Sequence, residues 1–579
     1  MMLKVLRILV YFIMIILVVS QIMLALVGYD EFCIFIVNFI GKPEKLGVLK
    51  AEYFKESNFV LFKIFFIFLI FFSIIFLFSL IKYLDRIKLG VKNAIFKCFS
   101  IFTYLKRLER NDLLFLLIIF GLFFTYKLYN LILYPISYDE AVTFLNFTLN
   151  GPFVSLSYYP APNNHIFYSL ITNLFYFITS NSFIALRLPS LLIFCVSFFV
   201  FFIILHKLFD FKVALISVSL FSILYPVLLY SSQGRGYMLY IFFTIIGTYS
   251  SYRIIYEYSN KKYFILWVIS MVGGLFVIPS FLYVFVLFCL WITFVLLYEK
   301  EYELFYSFFI SCILVTIITT LLYLPTIIVS GFGALFSNKY VAMQNRGDIL
   351  KSLFGLINNY YNYFFYSSFA HIGMFIITFL IISMGYLSLR KKIKRLYLKI
   401  LIILFILSPI IIIPLHGVIP FARNWSYLSV FITLAFAFIL SHVFIYVKLK
   451  SFIAFIIAFI ISIYGISQFS YRYAEEFKQD YFADNLASYL MNKKFTKFYF
   501  NTEYEEVITC YNYKAKRLEY NVDRGHVNSP FALEKDYDAI ILSEDTLKSI
   551  NNQYYLSMKN DYYSLYVKQD SSYLKSIIK

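Results

Sequence analysis

Asp139 and Glu140 form an adjacent pair of carboxylates, and no other charged side chain lies between Tyr134 and His165. A positioned carboxylate can act as a general base, and neighbouring side chains on a helix point about 100° apart. One acid of the pair can therefore face a reaction centre while the other holds a partner. The alternative is structural: Asp139 is the N-cap of a short helix, and Glu140 favours the positive end of that helix.

A second polar cluster, PAPNNH, follows in the same stretch of chain. Asn163, Asn164 and His165 present hydrogen-bond donors and acceptors at the head of an apolar helix. A lone histidine is more often structural than catalytic, and no second histidine lies at the spacing of metal ligands. The cluster is a candidate for positioning bound substrates, and the sequence indicates neither a metal nor a cofactor.

The third cluster, SSQGRGY, places Arg235 between two glycines, which would let a ligand approach the backbone closely. A permanently cationic guanidinium suits a phosphate group, although an arginine that only snorkels to the interface is the alternative. Arg187 in ALRLPS and Arg423 in PFARNW stand at other helix starts on the same predicted side. Three arginines on that side run against the positive-inside tendency, which favours an anionic ligand there.

These residues must be positioned by membrane helices. The chain of 579 residues is 61% hydrophobic and only 14% charged, against about 45–50% and 25% in soluble proteins. This composition predicts a polytopic membrane protein and excludes disordered and collagen-like chains. The net charge of +19 is concentrated in short loops between apolar runs, so it is assigned to topology rather than to nucleic-acid binding. The six cysteines show no CxxC spacing.

About thirteen apolar runs are candidates for crossing the membrane, since a span needs roughly 20 apolar residues. The candidates are 5–28, 58–82, 113–134, 184–206, 212–230, 237–256, 263–277, 279–297, 303–327, 370–389, 399–415, 427–447 and 451–470. Basic loops place the N-terminus in the cytoplasm and 135–164 outside. The apolar segment 165–180 is predicted to lie at the outer interface, because a crossing there would turn the basic run 390–395 outward.

The composition changes after Ser470, and the remaining chain reads as a small extracytoplasmic α/β domain. A helix is predicted at about 475–492 and strands at 496–500, 517–522, 538–543 and 562–568. The predicted organisation is therefore two additional N-terminal helices with a basic loop, a catalytic membrane region with the outer loop 135–183, and the soluble domain. Their bounds are 1–111, 112–470 and 471–579.

The ordered series of motifs resembles the GT-C superfamily of glycosyltransferases that use polyprenyl-phosphate sugars. The series runs YDEA, a Pro/His cluster, ALRLPSLL, HKLFDFKVAL, YSSQGRGYML and PFARNWSYLSV. It is most similar to the branch of protein O-mannosyltransferases and lipid A aminoarabinose transferases. The sequence departs from that branch in having Pro-Asn-Asn-His for the usual His-Pro-Pro and Gly234 for the acidic residue before the turn arginine.

The resemblance implies an inverting transferase of hexosyl or pentosyl groups in the plasma (inner) membrane. Its donor would be a polyprenyl-phosphate sugar, and its acceptor a hydroxyl of a glycan, lipid or protein on the outer side. Asp139 would be the general base, and Glu140, the second catalytic residue, would orient it or bind the acceptor. The resemblance implies that the donor phosphate is bound by three arginines, Arg187, Arg235 and Arg423. It implies that donor and acceptor are positioned by Tyr138, Asn163, Asn164, His165, Gln233 and Tyr237.

Two other functions stay open from the sequence. A polymerase or ligase of the O-antigen type would place its catalytic residues in the late outer loop 328–369. A transporter or flippase of lipid-linked saccharides would carry ionisable residues at mid-membrane depth and repeated halves.

Overall fold

A computed structural model describes most of the chain from residue 103 onward. The described ranges are 103–257, 262–336, 345–366, 371–389, 396–447, 449–493, 497–501, 521–524, 537–542, 554–559 and 563–568, together with residues 507, 509 and 511 and scattered positions among the first 74. The basic run 390–395 lies outside the described residues.

Helices dominate this part of the chain. In chain order they are α1 (Tyr29–Phe39), α2 (Arg110–Leu133), α3 (Tyr138–Thr143), α4 (Gly151–Ser157), α5 (Ile166–Thr179), α6 (Ser182–Leu208), α7 (Phe211–Ile223), α8 (Tyr225–Tyr230), α9 (Tyr237–Tyr256), α10 (Lys262–Val277), α11 (Leu282–Tyr298), α12 (Tyr302–Ser330), α13 (Phe332–Phe336), α14 (Arg346–Asn362), α15 (Ile372–Leu389), α16 (Leu396–His416), α17 (Leu428–Tyr446), α18 (Ser451–Glu476) and α19 (Lys478–Lys493). Shorter helical turns are Leu46–Val48, Leu49–Tyr53, Phe144–Thr148, Pro279–Phe281 and Ala422–Trp425.

Eight helices in the described ranges are long and apolar enough to cross a membrane. They are α2, α6, α9, α11 with its preceding turn, α12, α16, α17 and α18. The prediction of a helical, multi-pass membrane protein is confirmed. The number thirteen is not, because candidates 5–28 and 58–82 lie largely outside the described residues and three others form shorter helices.

Candidate 212–230 illustrates why a hydropathy count exceeds the helix count. The run is divided into α7 and α8, with Leu224 in a non-helical conformation between them and Pro226 at the start of α8. Proline restricts the residues before it and donates no backbone hydrogen bond, so the helix restarts there. Segment 165–180 forms α5, whose 14 residues rise about 21 Å, less than the roughly 30 Å of hydrocarbon.

The membrane helices share one apolar core. Helix α7 packs against α6, α17 and α18, and α9 packs against α6, α10 and α11. The loops that carry Asp139, Arg235 and Arg423 emerge at one end of this bundle and meet there, as their mutual contacts show.

The chain closes with α19 and a five-stranded sheet in the order β2-β1-β3-β5-β4. The strands are β1 (Lys497–Asn501), β2 (Asn521–Arg524), β3 (Ala539–Leu542), β4 (Tyr554–Lys559) and β5 (Ser564–Lys568). Strand β1 pairs in parallel with β2 and β3, whereas β5 is antiparallel to β3 and β4. The predicted small C-terminal α/β fold is thus confirmed; β4 was not predicted, because its polar and aromatic residues show no clear alternation.

Candidate active site

The carboxylate pair lies in the short helix α3, and Ser137 is the N-cap of this helix. The Ser137 N–H and hydroxyl donate to Oε2 of Glu140 at 3.0 and 3.1 Å, which closes a capping box. The structural alternative for Asp139 is therefore wrong: Asp139 lies inside the first turn, and its neighbours perform the capping. This leaves the carboxylate of Asp139 available for contacts outside its own helix.

Glu140 is fully buried and forms a two-pronged ion pair with Arg187. Nε of Arg187 donates to Oε1 at 2.8 Å and Nη2 donates to Oε2 at 2.7 Å, while the Gly234 N–H donates to Oε1 at 2.6 Å. Burial alone would raise the pKa of Glu140, but the charge and hydrogen bonds of Arg187 outweigh it and hold the pKa below its usual value. Glu140 is thus an ionised anchor that is closed to solvent.

Arg187 is delivered to this anchor by the first turns of α6. The helix begins where the Asn181 side chain accepts hydrogen bonds from the backbone N–H groups of Phe183 and Ile184. The three remaining N–H groups of Arg187 donate to backbone carbonyls of residues 131, 134 and 135 at 3.3, 2.8 and 2.7 Å. All five donors have protein acceptors, so the assignment of Arg187 to phosphate binding is corrected: it holds the segment that leads into α3.

Asp139 faces the other way and contacts two different arginines. Nη1 of Arg423 donates to its Oδ2 at 2.8 Å, and Nη2 of Arg235 lies 3.8 Å from the same oxygen. The side chain of Asp139 is 33% exposed and that of Arg423 is 32% exposed. Burial alone would raise the pKa of Asp139, but the charges of Arg235 and Arg423 outweigh it and hold the pKa below its usual value. Asp139 is consequently ionised and accessible to solvent.

Arg235 is buried beneath this pair. Its Nη1 donates to the Thr143 hydroxyl at 2.8 Å and to the backbone carbonyls of Asp139 and Asn163, both at 3.2 Å. Its Nε has no hydrogen-bond partner among the described residues. Arg235 therefore ties α3 to the PAPNNH segment and supplies positive charge behind Asp139, while its own exposure is only 2%.

The glycines beside Arg235 serve close packing of the protein itself. A Cβ at position 234 would lie 2.7 Å from Cβ of Leu186, and one at position 236 would lie 2.9 Å from Cβ of His165. The expectation that these glycines admit a ligand to the backbone is corrected, because protein atoms occupy that space.

His165 and the two asparagines are built into the same wall. Nδ1 of His165 accepts the Gly236 N–H at 2.8 Å, and burial, followed by the charges of Arg235 and Arg423, holds the pKa of His165 well below its usual value. The imidazole is therefore neutral. The Asn164 side chain donates to two carbonyls of its own loop, at residues 155 and 158, and accepts from the Ser169 hydroxyl. Oδ1 of Asn163 has no partner among the described residues.

The three other predicted positioning residues differ in their exposure. Tyr138 is 39% exposed next to Asp139, whereas Gln233 is buried and its backbone carbonyl accepts the Ser190 hydroxyl at 2.8 Å. Tyr237 packs edge-on against His165 and lines a cavity. Of these, Tyr138 and Tyr237 remain candidates for direct substrate contact.

That cavity has a volume of about 490 Å³, and Arg423 is one of the residues that line it. Its lining combines polar and aromatic side chains with a wall of aliphatic side chains from α11 and α16; the former include Tyr159, Tyr237, Tyr283, His416, Arg423 and Asn424, and the latter Leu282, Val286, Leu287, Leu290, Ile411, Ile412 and Leu415. Sequence reasoning missed all of this wall, because its residues look like those of any span.

The turn that carries Arg423 is held from three helices. The Tyr240 hydroxyl donates to the Asn424 carbonyl at 3.1 Å, the Tyr360 hydroxyl to the Pro420 carbonyl at 2.5 Å, and Trp425 stacks on Tyr283. Electrostatic interaction with Tyr237 raises the pKa of Arg423 above its usual value; burial opposes this shift, and Asp139 adds to it. Within the described ranges, no three His, Cys, Asp or Glu residues lie close enough to hold a metal.

Comparison with known proteins identifies the fold. No protein-family profile matches the sequence, and no curated protein is similar to it. The structure of ArnT from Cupriavidus metallidurans bound to undecaprenyl phosphate superposes with a TM-score of 0.52 at 10% identity, over 79% of this chain and 98% of ArnT. Its apo form superposes with a TM-score of 0.41 at 11% identity, over 78% and 97%. The chain therefore shares the fold of ArnT, in agreement with the fold that the motif series predicts.

Proposed function

We propose that this protein is a membrane glycosyltransferase that moves a sugar from a polyprenyl phosphate to an acceptor hydroxyl on the extracytoplasmic side. The observation that carries the proposal is the largely apolar cavity lined in part by Arg423, which in turn is hydrogen-bonded to Asp139. Aliphatic side chains suit an isoprenoid chain, and the guanidinium among them suits a phosphate. The GT-C fold supports the proposal, since ArnT with this fold is described in complex with undecaprenyl phosphate.

Asp139 is the proposed general base. The acceptor oxygen attacks the anomeric carbon, the bond from that carbon to the phosphate oxygen breaks, and the phosphate departs with the electron pair. Asp139 takes the proton of the acceptor hydroxyl. Attack opposite to the leaving phosphate inverts the anomeric centre, and a carboxylate in this role contributes typically about 10²–10⁴-fold to the rate.

Arg423 has two successive partners in this scheme. Without donor it binds Asp139, and the ion pair lowers the basicity of the carboxylate. A phosphate that takes hydrogen bonds from Arg423 would weaken this hold and raise the basicity of Asp139 when a donor is present. After cleavage the same guanidinium stabilises the charge that grows on the leaving phosphate.

The other predicted residues support these two. Arg235 fixes α3 and adds positive charge behind Asp139, and the pair of Glu140 and Arg187 anchors α3 from the opposite side. Tyr138 and Tyr237 are proposed to contact acceptor or donor sugar, because one is exposed beside Asp139 and the other lines the cavity. Asn163, Asn164, His165 and Gln233 shape the wall.

The test uses the full-length protein purified into lipid nanodiscs. It is supplied with polyprenyl-phosphate sugars that carry a labelled sugar, and with a panel of lipid, glycan and peptide hydroxyl acceptors. Release of polyprenyl phosphate and transfer of label are measured for the wild type, for Asp139→Asn and for the control Glu475→Gln, which changes an exposed carboxylate paired with Lys478. Binding of undecaprenyl phosphate is measured separately by native mass spectrometry.

We expect the wild type and Glu475→Gln to consume donor, and Asp139→Asn to bind undecaprenyl phosphate without turnover. Full activity of Asp139→Asn would remove Asp139 as the base. Movement of the lipid-linked sugar across the bilayer without transfer would instead establish the flippase. Turnover confined to pyrophosphate-linked glycans would establish the polymerase or ligase.

A further inference from the structure

The C-terminal segment, meaning α19 and the sheet, packs directly on the back of the helix that carries the carboxylate pair. A single apolar cluster contains residues of both regions. From the site side they are Ile136, Ala141, Phe144, Phe183 and Leu186, and from α19 they are Ala483, Leu486, Ala487 and Leu490. The position of α3 therefore depends on a part of the chain more than 300 residues away.

Further contacts hold the segment that leads into α3. The Ile136 N–H donates to the hydroxyl of Tyr511, between β1 and β2 in the chain, at 3.3 Å, and the ring of Tyr134 stacks on that of Tyr473, near the end of α18, with the centroids 4.0 Å apart. Both contacts lie in the five residues that precede α3. They hold the approach to the helix, but neither touches the helix itself.

Asp480 makes the charged contact with α3. It stands in the first turn of α19 and is only 8% exposed. Its carboxylate accepts a hydrogen bond from the backbone N–H of Tyr138, the first residue of α3. A negative charge at a helix N-terminus is stabilising. Asp480, which is not part of α3, therefore caps this helix at Tyr138, the residue before Asp139.

The charges that face Asp480 oppose one another. Glu140 and Asp139 repel its ionised form, Arg187 attracts it, and the phenol of Tyr473 lies close by. Burial, followed by repulsion from Glu140, raises the pKa of Asp480 to about 7. A group of this kind gains and loses its proton within the neutral range, unlike Asp139 and Glu140, whose pKa values are lowered.

We propose that Asp480 is a positioning residue for the transfer reaction: its carboxylate holds the first turn of α3 so that Asp139 is directed at the acceptor. The inference rests on the proposed function, in which Asp139 is the base. A neutral side chain accepts the Tyr138 hydrogen bond more weakly than a carboxylate does. Protonation of Asp480 also removes a negative charge near Asp139, which lowers the basicity of Asp139 further.

The experiment compares wild type, Asp480→Asn and Glu475→Gln as full-length proteins in nanodiscs. Asparagine keeps the shape of Asp480 but is neutral at every pH. We expect kcat of Asp480→Asn to fall about tenfold at pH 8, as a small misplacement of a reacting group does, while KM for the donor stays within about twofold because Arg423 and the cavity wall are unchanged. The wild type should lose kcat as the pH falls through about 7, and Asp480→Asn should lack this limb.

A second measurement makes the inference independent of the proposed function. Hydrogen exchange of the peptide 136–143 should be faster in Asp480→Asn than in the wild type and in Glu475→Gln. Unchanged exchange, or a retained acidic limb with wild-type kcat, would overturn the role of Asp480. A wild type that transfers no sugar, but whose peptide 136–143 responds to Asp480→Asn, would refute the proposed function and leave the contact established.

Discussion

Two adjacent carboxylates in one short helix have opposite surroundings. Glu140 is completely buried, and its oxygens accept hydrogen bonds from Arg187, Ser137 and Gly234. Asp139 is one-third exposed, and Arg423, the nearer of its two arginine partners, is equally exposed. The pair thus has an inner member that is saturated with partners and an outer member whose partner can be exchanged for a ligand.

The arginines that bind these two carboxylates differ in how many of their N–H groups already donate to the protein. All five donors of Arg187 are bound to protein, whereas Arg423 uses Nη1 for Asp139 and lines the largely apolar cavity. Buried ion pairs cost desolvation and are retained where they fix a geometry. The buried ion pair of Glu140 and Arg187 (the inner pair) is suited to fixing α3. The partly exposed ion pair of Asp139 and Arg423 (the outer pair) is suited to catalysis, and four predictions test this division.

The largest effect is expected from Asp139→Asn. Loss of the proposed base should reduce kcat by about 10²–10⁴-fold, while the unfolding temperature changes little because the side chain is partly exposed. Steady-state transfer assays and thermal unfolding in detergent measure the two quantities. If Asp139→Asn unfolds at a clearly lower temperature than the wild type, Asp139 is a structural residue like Glu140 and the comparison fails.

Glu140→Gln should show the reverse pattern. Removing one member of a buried pair leaves an uncompensated Arg187, which costs about 3–5 kcal/mol. We expect a clear fall in unfolding temperature and in the amount of folded protein, with donor affinity preserved in the fraction that folds. Equal stability of Glu140→Gln and wild type would show that the inner pair does not anchor α3.

The split between the two carboxylates was accessible from the sequence, because neighbours on a helix cannot face the same side. The sequence also indicated the arginines that the structure gathers here, and it predicted the helical membrane fold that the structure and the ArnT comparison confirm. It could not assign the arginines, since the carbonyls that saturate Arg187 come from residues 131–135. The role of Gly234 was equally hidden, because its neighbour Leu186 is distant in sequence.

Two other features were beyond the sequence for a different reason. The cavity wall consists of aliphatic residues such as Leu290 and Ile411, which are chemically identical to lipid-facing residues until the helices are packed. Asp480 is one of several acids in a soluble-looking segment, and only tertiary structure brings it to Tyr138. Burial and long-range contact decided both cases.

Arg423→Ala sharpens the comparison on the outer side. A charge-assisted hydrogen bond contributes about 1.5–3 kcal/mol, so we expect the affinity for undecaprenyl phosphate to fall roughly 10- to 100-fold. Arg423→Lys should recover part of this affinity, because lysine supplies a positive charge but lacks the planar, bidentate guanidinium. Native mass spectrometry measures the affinities, and Lys478→Ala, which removes an exposed cation that does not line the cavity, is the control. Unchanged binding by Arg423→Ala would leave the cavity without a phosphate site.

The smallest effect is expected in the dependence of stability on pH. The pKa values of Asp139 and Glu140 are both lowered in the folded protein, so each contributes stability that is present above its usual value, 3.8 or 4.5, and is lost as the pH falls through the lowered value. The unfolding temperature of the wild type should therefore decline below about pH 4.5. Glu140→Gln should flatten this decline more than Asp139→Asn does, because solvent screens the partly exposed pair. A larger flattening in Asp139→Asn would reverse the assignment of inner and outer member.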